Sequence, residues 1–395
     1  MNTAGIICEY NPLHFGHIRH IEMTKAALGP DGAVVCVMSG NFVQRGDFAV
    51  FDKFSRAEAA ASCGADLVLE MPTPYVLSSA DGFAAAGIHI INAVGICDYI
   101  SFGSECGDIG ALSVAAEAIV SPEAETLIKE FLGMGISYAD AQQRAADSVL
   151  GKCSDVFKSP NNLLGIEYLK AIKASKSKLH PLTIKRIGSA HDSESGNSAS
   201  ALRKKLLLGE EPWDSMPQTA ADVFMKEMTE GRGPVSMDLY ELAMLSRLRS
   251  IKDFSAIPGA AEGLDNRFAR YASSEPTILK ILENVKTKRY AMSRLRRMLI
   301  NAVLGITAED TSRPPPYIRV LAMNQKGKKL LKTANDKASL PVITKPAAVK
   351  KLPGEALRIF NKEVGSTDFY TLAYNNENER RGGLEWRQTP RIIEC

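Results

Sequence analysis

Short apolar runs alternate with amphipathic stretches along the first half of the chain. Ala4 to Cys8, Ala33 to Met38, Asp66 to Leu69, Tyr99 to Phe102 and Leu182 to Ile187 read as strands buried on both faces, as in a parallel sheet. Between them run helical periods. One opens near His14, with apolar Ile18, Ile21 and Ala26 and a stop at Gly29-Pro30; the others are Phe54 to Cys63, Ser79 to Val94, Ile109 to Ile119 and Asn162 to Ala174. Strands alternating with helices predict an α/β fold with ligands outside the carboxyl ends of the strands. Residues 122–150 carry helical patterns without a strand, so an inserted helical pair is expected there. Gly188 to Asn197 reads as a mobile loop.

Beyond Pro212 the pattern is mainly helical, clearest over Met237 to Arg249, Ile278 to Val285 and Tyr290 to Val303. Tyr317 to Met323 and Leu340 to Ile343 read as strands of a small mixed subdomain, and Pro314 to Pro316 as a linker. The last ten or so residues are polar and are expected to be disordered. The expected organisation is a ligand-binding α/β domain over residues 1–210 and a mainly helical, basic domain over 211–395.

Charge separates these halves. Residues 1–210 hold 18 Lys+Arg against 23 Asp+Glu, whereas residues 211–395 hold 30 against 22. Between Lys286 and Lys351 there are 16 basic and only 3 acidic residues. Arg289, Arg294, Arg296 and Arg297 belong to one cluster, and Lys328 and Lys329 to another. A face with so few compensating acids repels itself and suits a long polyanion; a solvated helix face is the alternative. No RNA-binding module signature accompanies it, which points to recognition by shape and phosphates.

With 395 residues, 45% of them hydrophobic, the chain can bury a large core. Seven cysteines are scattered without zinc spacing, and several fall in apolar strands, as buried free thiols do in a reducing compartment. No signal-peptide pattern is present, and the longest apolar stretch, Phe83 to Cys97, is interrupted by His89 and Asn92 and too short to span a bilayer. A cytoplasmic protein is expected, with no membrane association and no stable protein partner implied.

The candidate chemistry starts where the first strand meets the first helix, at His14-Phe15-Gly16-His17. A helix start after a strand presents free N–H groups and the positive end of the helix dipole to an anion. Two histidines three residues apart share one side of that turn and can both reach a triphosphate. Gly16, without a Cβ, lets a base or ribose approach the backbone. After the last strand of the first half, Ser198 and Ser200 can cap a helix, and Arg203 can meet phosphate oxygens.

His14-Phe15-Gly16-His17 resembles the signature of the nucleotidyltransferase superfamily, which implies a Rossmann-like parallel sheet that binds ATP and cuts it between the α and β phosphates. Five segments narrow the likeness: Ile7 to His20, Ser39 to Gly46, Gly64 to Pro72, Ser101 to Glu105 and Pro160 to Gly165. Together and in this order they resemble the tRNA(Met) cytidine acetate ligase family, most densely over the first half of the chain. The resemblance implies activation of acetate as acetyl-adenylate, then acetylation of the exocyclic amine of the wobble cytidine of elongator tRNA(Met).

It also implies an ATP site formed by Ile7-Cys8-Glu9-Tyr10-Asn11-Pro12-Leu13-His14-Phe15-Gly16-His17-Ile18-Arg19-His20, with Gly103, Asn162, Arg186 and Ile187 at the adenosine and Ser198 and Ser200 of the later serine-rich turn also binding ATP. His14, His17 and Arg203 are the candidate catalytic residues. Asn162 also reads as a helix N-cap, and Gly103 as a strand-end turn. Arg45 and Lys53 are candidates for phosphate of ATP or RNA, or else are solvated. No dedicated carboxylate cage is evident, so Mg²⁺ is expected to bridge the phosphates. Two other functions remain open: a small-molecule adenylyltransferase of coenzyme metabolism, and a non-catalytic RNA-binding protein on a nucleotide fold.

Overall fold

A computed structural model describes residues 1–186 and 198–394. The chain begins β1 (Thr3–Cys8), α1 (Phe15–Leu28), β2 (Ala33–Ser39), the hairpin β3 (Phe42–Val43) and β4 (Asp47–Phe48), α2 (Lys53–Ser62), β5 (Leu67–Met71), α3 (Thr73–Val76) and α4 (Ala80–Ala93). It continues through β6 (Tyr99–Ser104), α5 (Ile109–Ile119), α6 (Pro122–Gly133), α7 (Tyr138–Leu150), α8 (Pro160–Ala174), β7 (His180–Lys185), α9 (Ala199–Leu207) and α10 (Gln218–Thr229). Then come α11 (Glu241–Ser250), α12 (Leu264–Ser274), α13 (Ile278–Val285), α14 (Met292–Leu304), β8 (Ile318–Met323), α15 (Gln325–Lys337), β9 (Val342–Ile343), α16 (Gly354–Tyr370) and β10 (Arg391–Ile392).

The sheet runs β10-β8-β5-β2-β1-β6-β7, with β9 beside β8. From β5 to β7 it is parallel, and β8 joins β5 antiparallel. The chain order thus reverses at β1, which lies between β2 and β6; the crevice above its carboxyl end is where such sheets hold ligands. Strand side chains alternate between two faces. Val34, Cys36 and Met38 enter one core with Ile6, Phe51 and Phe224, and Val35, Val37 and Leu69 enter the other with Ile91, Phe102 and Ile166. A third core unites α11 to α14 with Phe42 and Phe48 of the hairpin.

Two expectations need correction. Tyr317–Met323 and Leu340–Ile343 do form strands, but they extend the main sheet rather than a separate subdomain, because β8 hydrogen-bonds to β5. The final residues are ordered through β10, which pairs with β8. The sheet also crosses residue 210, so strands from both sequence halves share it. The 122–150 helical pair is present as α6 and α7. Gly188 to Asn197, Ile187 and Cys395 lie outside the described residues.

Lys53 is neither solvated nor near phosphate: it is completely buried, paired with Glu363 at 3.0 Å, with Glu385 at 2.6 Å and with Glu70. Arg319 of β8 pairs with Glu385 and approaches Glu70 at 3.5 Å. Three carboxylates against two cations would leave one buried charge in excess, and burial pushes Glu70 up to about 8, so this carboxyl keeps its proton at neutral pH. Burial also opposes ionisation of Glu385, but Arg319 and Lys53 outweigh it and hold Glu385 down at about 2.

Between an unfolded value of about 4.3 and the folded value, Glu70 binds more protons in the native state. Raising the pH from 6 to 9 therefore costs stability, and Glu70→Gln should lose less than the wild type over that range in urea titrations. Equal losses would mean that Glu70 is already ionised. Lys53→Met, which strands the carboxylates, should destabilise by about 3–5 kcal/mol.

Candidate active site

The turn from β1 into α1 is built around His14. This residue is the N-cap, with φ −148° and ψ 171°, and its Nδ1 accepts the Gly16 N–H at 3.0 Å. The neutral ring therefore carries its proton on Nε2. A Cβ on Gly16 would fall 2.8 Å from His14 Cε1, so glycine is required for the ring to fold back over the turn. The His14 and His17 rings lie 3.9 Å apart, and His17 Nδ1 is buried without a partner. His20 reaches Ser101 Oγ of β6 at 3.0 Å.

Arg186 completes the group. Its backbone N–H bonds Ser104 O at 2.9 Å, and its side chain crosses the space above Gly103, where a Cβ would sit 3.2 Å from Arg186 Cγ. The guanidinium is exposed and has no hydrogen bond or ion pair among the described residues. Burial, then Arg186, depresses His14 to about 4 and His20 to about 4; burial, His14 and Arg186 depress His17 further. The site is thus a set of neutral imidazoles and one free guanidinium at the positive end of α1, an arrangement that accepts a polyanion.

The structure separates the other sequence candidates by role. Tyr10 and Leu13 are buried in the core, with Tyr10 hydroxyl 3.4 Å from Cys36 Sγ, and Ile7 packs over Gly87, so these side chains are committed to packing. Burial pushes the Cys8 thiol up, consistent with a site that needs no thiolate. Glu9 Oε1 accepts Gln44 N–H at 2.7 Å, and Asn11 Oδ1 accepts Val50 N–H at 2.8 Å. Pro12 is buried behind a cis Asn11–Pro12 bond.

Phe15, Ile18 and Arg19 face away from the histidines and line a cleft of about 730 Å³ with Cys63 and Thr219. Ser198 does cap α9 through Ala201 N–H at 3.3 Å; Ser200 does not, and instead accepts from Arg203 Nη2 at 3.1 Å. Arg203 Nη1 donates to Asn11 O at 2.7 Å, which ties α9 to the signature turn.

Asn162 is not an N-cap, a position held by Ser159. Its Oδ1 accepts from Glu105 N at 2.9 Å and Cys106 N at 3.2 Å, while Glu105 Oε2 accepts Asn162 N–H at 2.9 Å. This reciprocal pair locks the loop after β6 onto the start of α8. Among the basic candidates, Arg289 pairs with Glu262 at 3.0 Å, Arg294 lies over the Tyr290 ring, Arg296 meets Asp47 at 3.6 Å, and burial lowers Arg297 to about 10. Lys328 and Lys329 lie on α15, whose Lys326 bonds Gly32 O, so they stand at the amino ends of the strands, opposite the histidines.

Arg56 escaped the sequence reading. Fully buried, it donates to the carbonyls of Phe51 at 2.9 Å, Ser39 at 3.1 Å, Gly40 and Glu9, joining the ends of β1 and β2. The available signal was a lone arginine among the buried alanines of α2.

Comparison with known proteins identifies the family. The family model of the HIGH nucleotidyl transferases matches residues 1–384, and the chain is a member of that class. A tRNA(Met) cytidine acetate ligase of Acetivibrio thermocellus is 37% identical over 98% of this chain and 99% of its own length. Another, from Caldanaerobacter subterraneus subsp. tengcongensis, is 39% identical over 95% and 96%. The crystal structure of Thermotoga maritima TmcAL bound with alpha-thio ATP superposes with a TM-score of 0.93 at 32% identity, covering both chains completely. The chain belongs to the tRNA(Met) cytidine acetate ligase family.

The depressed histidines give a pH signature. Unfolded histidine titrates near ~6.5, so between there and about 4 the unfolded chain binds more protons, and stability falls as the pH is lowered through that range. His20→Gln, which can still bond Ser101, should show a shallower acid-induced loss in thermal scans from pH 7 to 5. Parallel curves for variant and wild type would contradict the assignment.

Proposed function

We propose that this chain condenses acetate with ATP and passes the acetyl group to the N4 amine of the wobble cytidine of elongator tRNA(Met). The observation that carries this reading is the neutral His14–His17 pair facing Arg186 at the start of α1, within a fold shared along its whole length with acetate ligases. The triphosphate lies against the α1 terminus, with adenosine toward Gly103, Asn162 and Arg186. An acetate oxygen attacks the α phosphorus, the bond to the bridging oxygen breaks, and pyrophosphate departs along His14 and His17, with the Nε2–H of His14 donating where charge develops. The cytidine amine then attacks the acetyl carbon, losing a proton as AMP leaves.

Arg203, bonded to Asn11 O, acts in this scheme by fixing the turn. Mg²⁺ would be brought in with ATP and would neutralise charge on its phosphates. No helix among the described residues is long and apolar enough to cross a membrane, and we place the reaction in the cytoplasm. No stable protein partner is part of the scheme.

Labelled acetate should enter tRNA only with ATP, releasing AMP and pyrophosphate. Label entering from acetyl-CoA without ATP would overturn the mechanism. His14→Ala or His17→Ala should slow acetate-dependent ATP–pyrophosphate exchange by roughly 10²-fold or more, mainly in turnover; a double variant with near-native exchange would remove both histidines from the chemistry.

The tRNA is assigned to the face that holds Arg289, Arg294, Arg296 and Arg297, on the side of the active site. Charge reversal at Arg296 and Arg297 should weaken tRNA binding and its salt dependence more than reversal at Lys328 and Lys329. The opposite ranking would move the RNA to the α15 end of the sheet.

A further inference from the structure

The turn Gln44–Arg45–Gly46 joins β3 to β4 and stands between the signature turn and α14. On one side Glu9 Oε1 holds the Gln44 N–H at 2.7 Å; on the other, Arg297 Nη1 donates to Gln44 O at 3.2 Å. Gly46 has φ +76°, and a Cβ there would lie 2.5 Å from the Arg297 backbone nitrogen, so only glycine lets the turn seat against α14. The hairpin is also anchored below: Phe48 stacks on Tyr240 at 4.2 Å and meets Phe42 at 4.9 Å. This is a fixed turn, presenting whatever its tip carries.

Most arginines around it are engaged. Arg296 pairs with Asp47, Arg297 with Gln44 O, and Arg203 with Asn11 O. Arg45 is different. It is exposed and has no hydrogen bond or ion pair among the described residues, yet it lies near enough to Glu9 and Arg203 to act on both electrostatically. Its position complements that of Arg186. Arg186 follows β7, on the β6 side of β1, where the adenosine is assigned; Arg45 follows β2, on the other side. Two unpaired guanidiniums therefore flank the carboxyl end of β1 from opposite directions.

We propose that Arg45 holds a backbone phosphate of the RNA strand beside the target cytidine, extending the basic face of α14 to the mouth of the active site. This rests on the acetate ligase reading. A guanidinium on a rigid turn matches a phosphodiester with little ordering cost, and a small acid or nucleotide acceptor would give it nothing to hold. A single strand approaching from the β2 side reaches the acetyl-adenylate without crossing the nucleotide on the β6 side.

The test compares wild type, Arg45→Ala and Arg45→Lys in three assays: tRNA binding against KCl concentration, steady-state tRNA acetylation, and acetate-dependent ATP–pyrophosphate exchange. Being exposed, Arg45 can be replaced without touching the core. For Arg45→Ala the slope of log affinity on log salt should shrink by about one, and kcat/KM for tRNA should fall about tenfold or more, while exchange and its KM for ATP stay at wild-type values. Arg45→Lys should recover the salt slope and only part of the affinity. An unchanged slope and kcat/KM in Arg45→Ala would overturn the proposal, as would a raised KM for ATP with tRNA binding intact, which places the guanidinium on the nucleotide. A wild-type protein that binds tRNA without acetylating it would strike the ligase reading instead, and the salt slope would still decide whether Arg45 holds RNA.

Discussion

Five ionisable side chains sealed from water bind the two ends of this sequence into one sheet. Lys53 and Glu70 come from α2 and β5, whereas Arg319, Glu363 and Glu385 come from β8, α16 and the segment before β10. Such a cluster is tolerated only when its charges nearly cancel and its remaining lone pairs are satisfied. The Thr73 N–H and hydroxyl serve Glu363 at 2.7 and 2.9 Å, and the Thr367 hydroxyl serves Glu385. The late strands are consequently part of the nucleotide-binding sheet.

From that base the site is assembled by a series of hydrogen bonds. Arg56 fixes where β1 and β2 end, and Glu9 and Asn11 fix the hairpin and the chain leading into α2 through Gln44 N–H and Val50 N–H. Arg203 then draws α9 onto the same turn. Around the turn, Arg186 and Arg45 keep exposed guanidiniums without a partner among the described residues, and His17 Nδ1 is buried without one.

Short-range signals are legible in the sequence. The β1–turn–α1 unit, the glycine between two histidines and the inserted α6–α7 pair are each short-range, and periodicity or turn chemistry reports them directly. Ser198 as the cap of α9 was legible for the same reason. What could not be read was long-range. Nothing in Tyr317–Met323 states that it will pair antiparallel with β5, and nothing in Lys53 states that three carboxylates from distant segments will enclose it. Asn162 failed differently: its side chain suits a cap, but Glu105, brought in by the fold, already satisfies the start of α8.

The antiparallel docking of β8 on β5 has a consequence for how the chain is made. Asn324, at the end of β8, bonds Asp66, 258 residues earlier. Until that strand leaves the ribosome, Leu67, Val68 and Leu69 present an open hydrophobic edge of backbone donors and acceptors, the kind of surface that recruits another strand. Contacts this distant also close slowly. The nascent chain therefore spends most of its synthesis with its nucleotide fold uncovered on one flank.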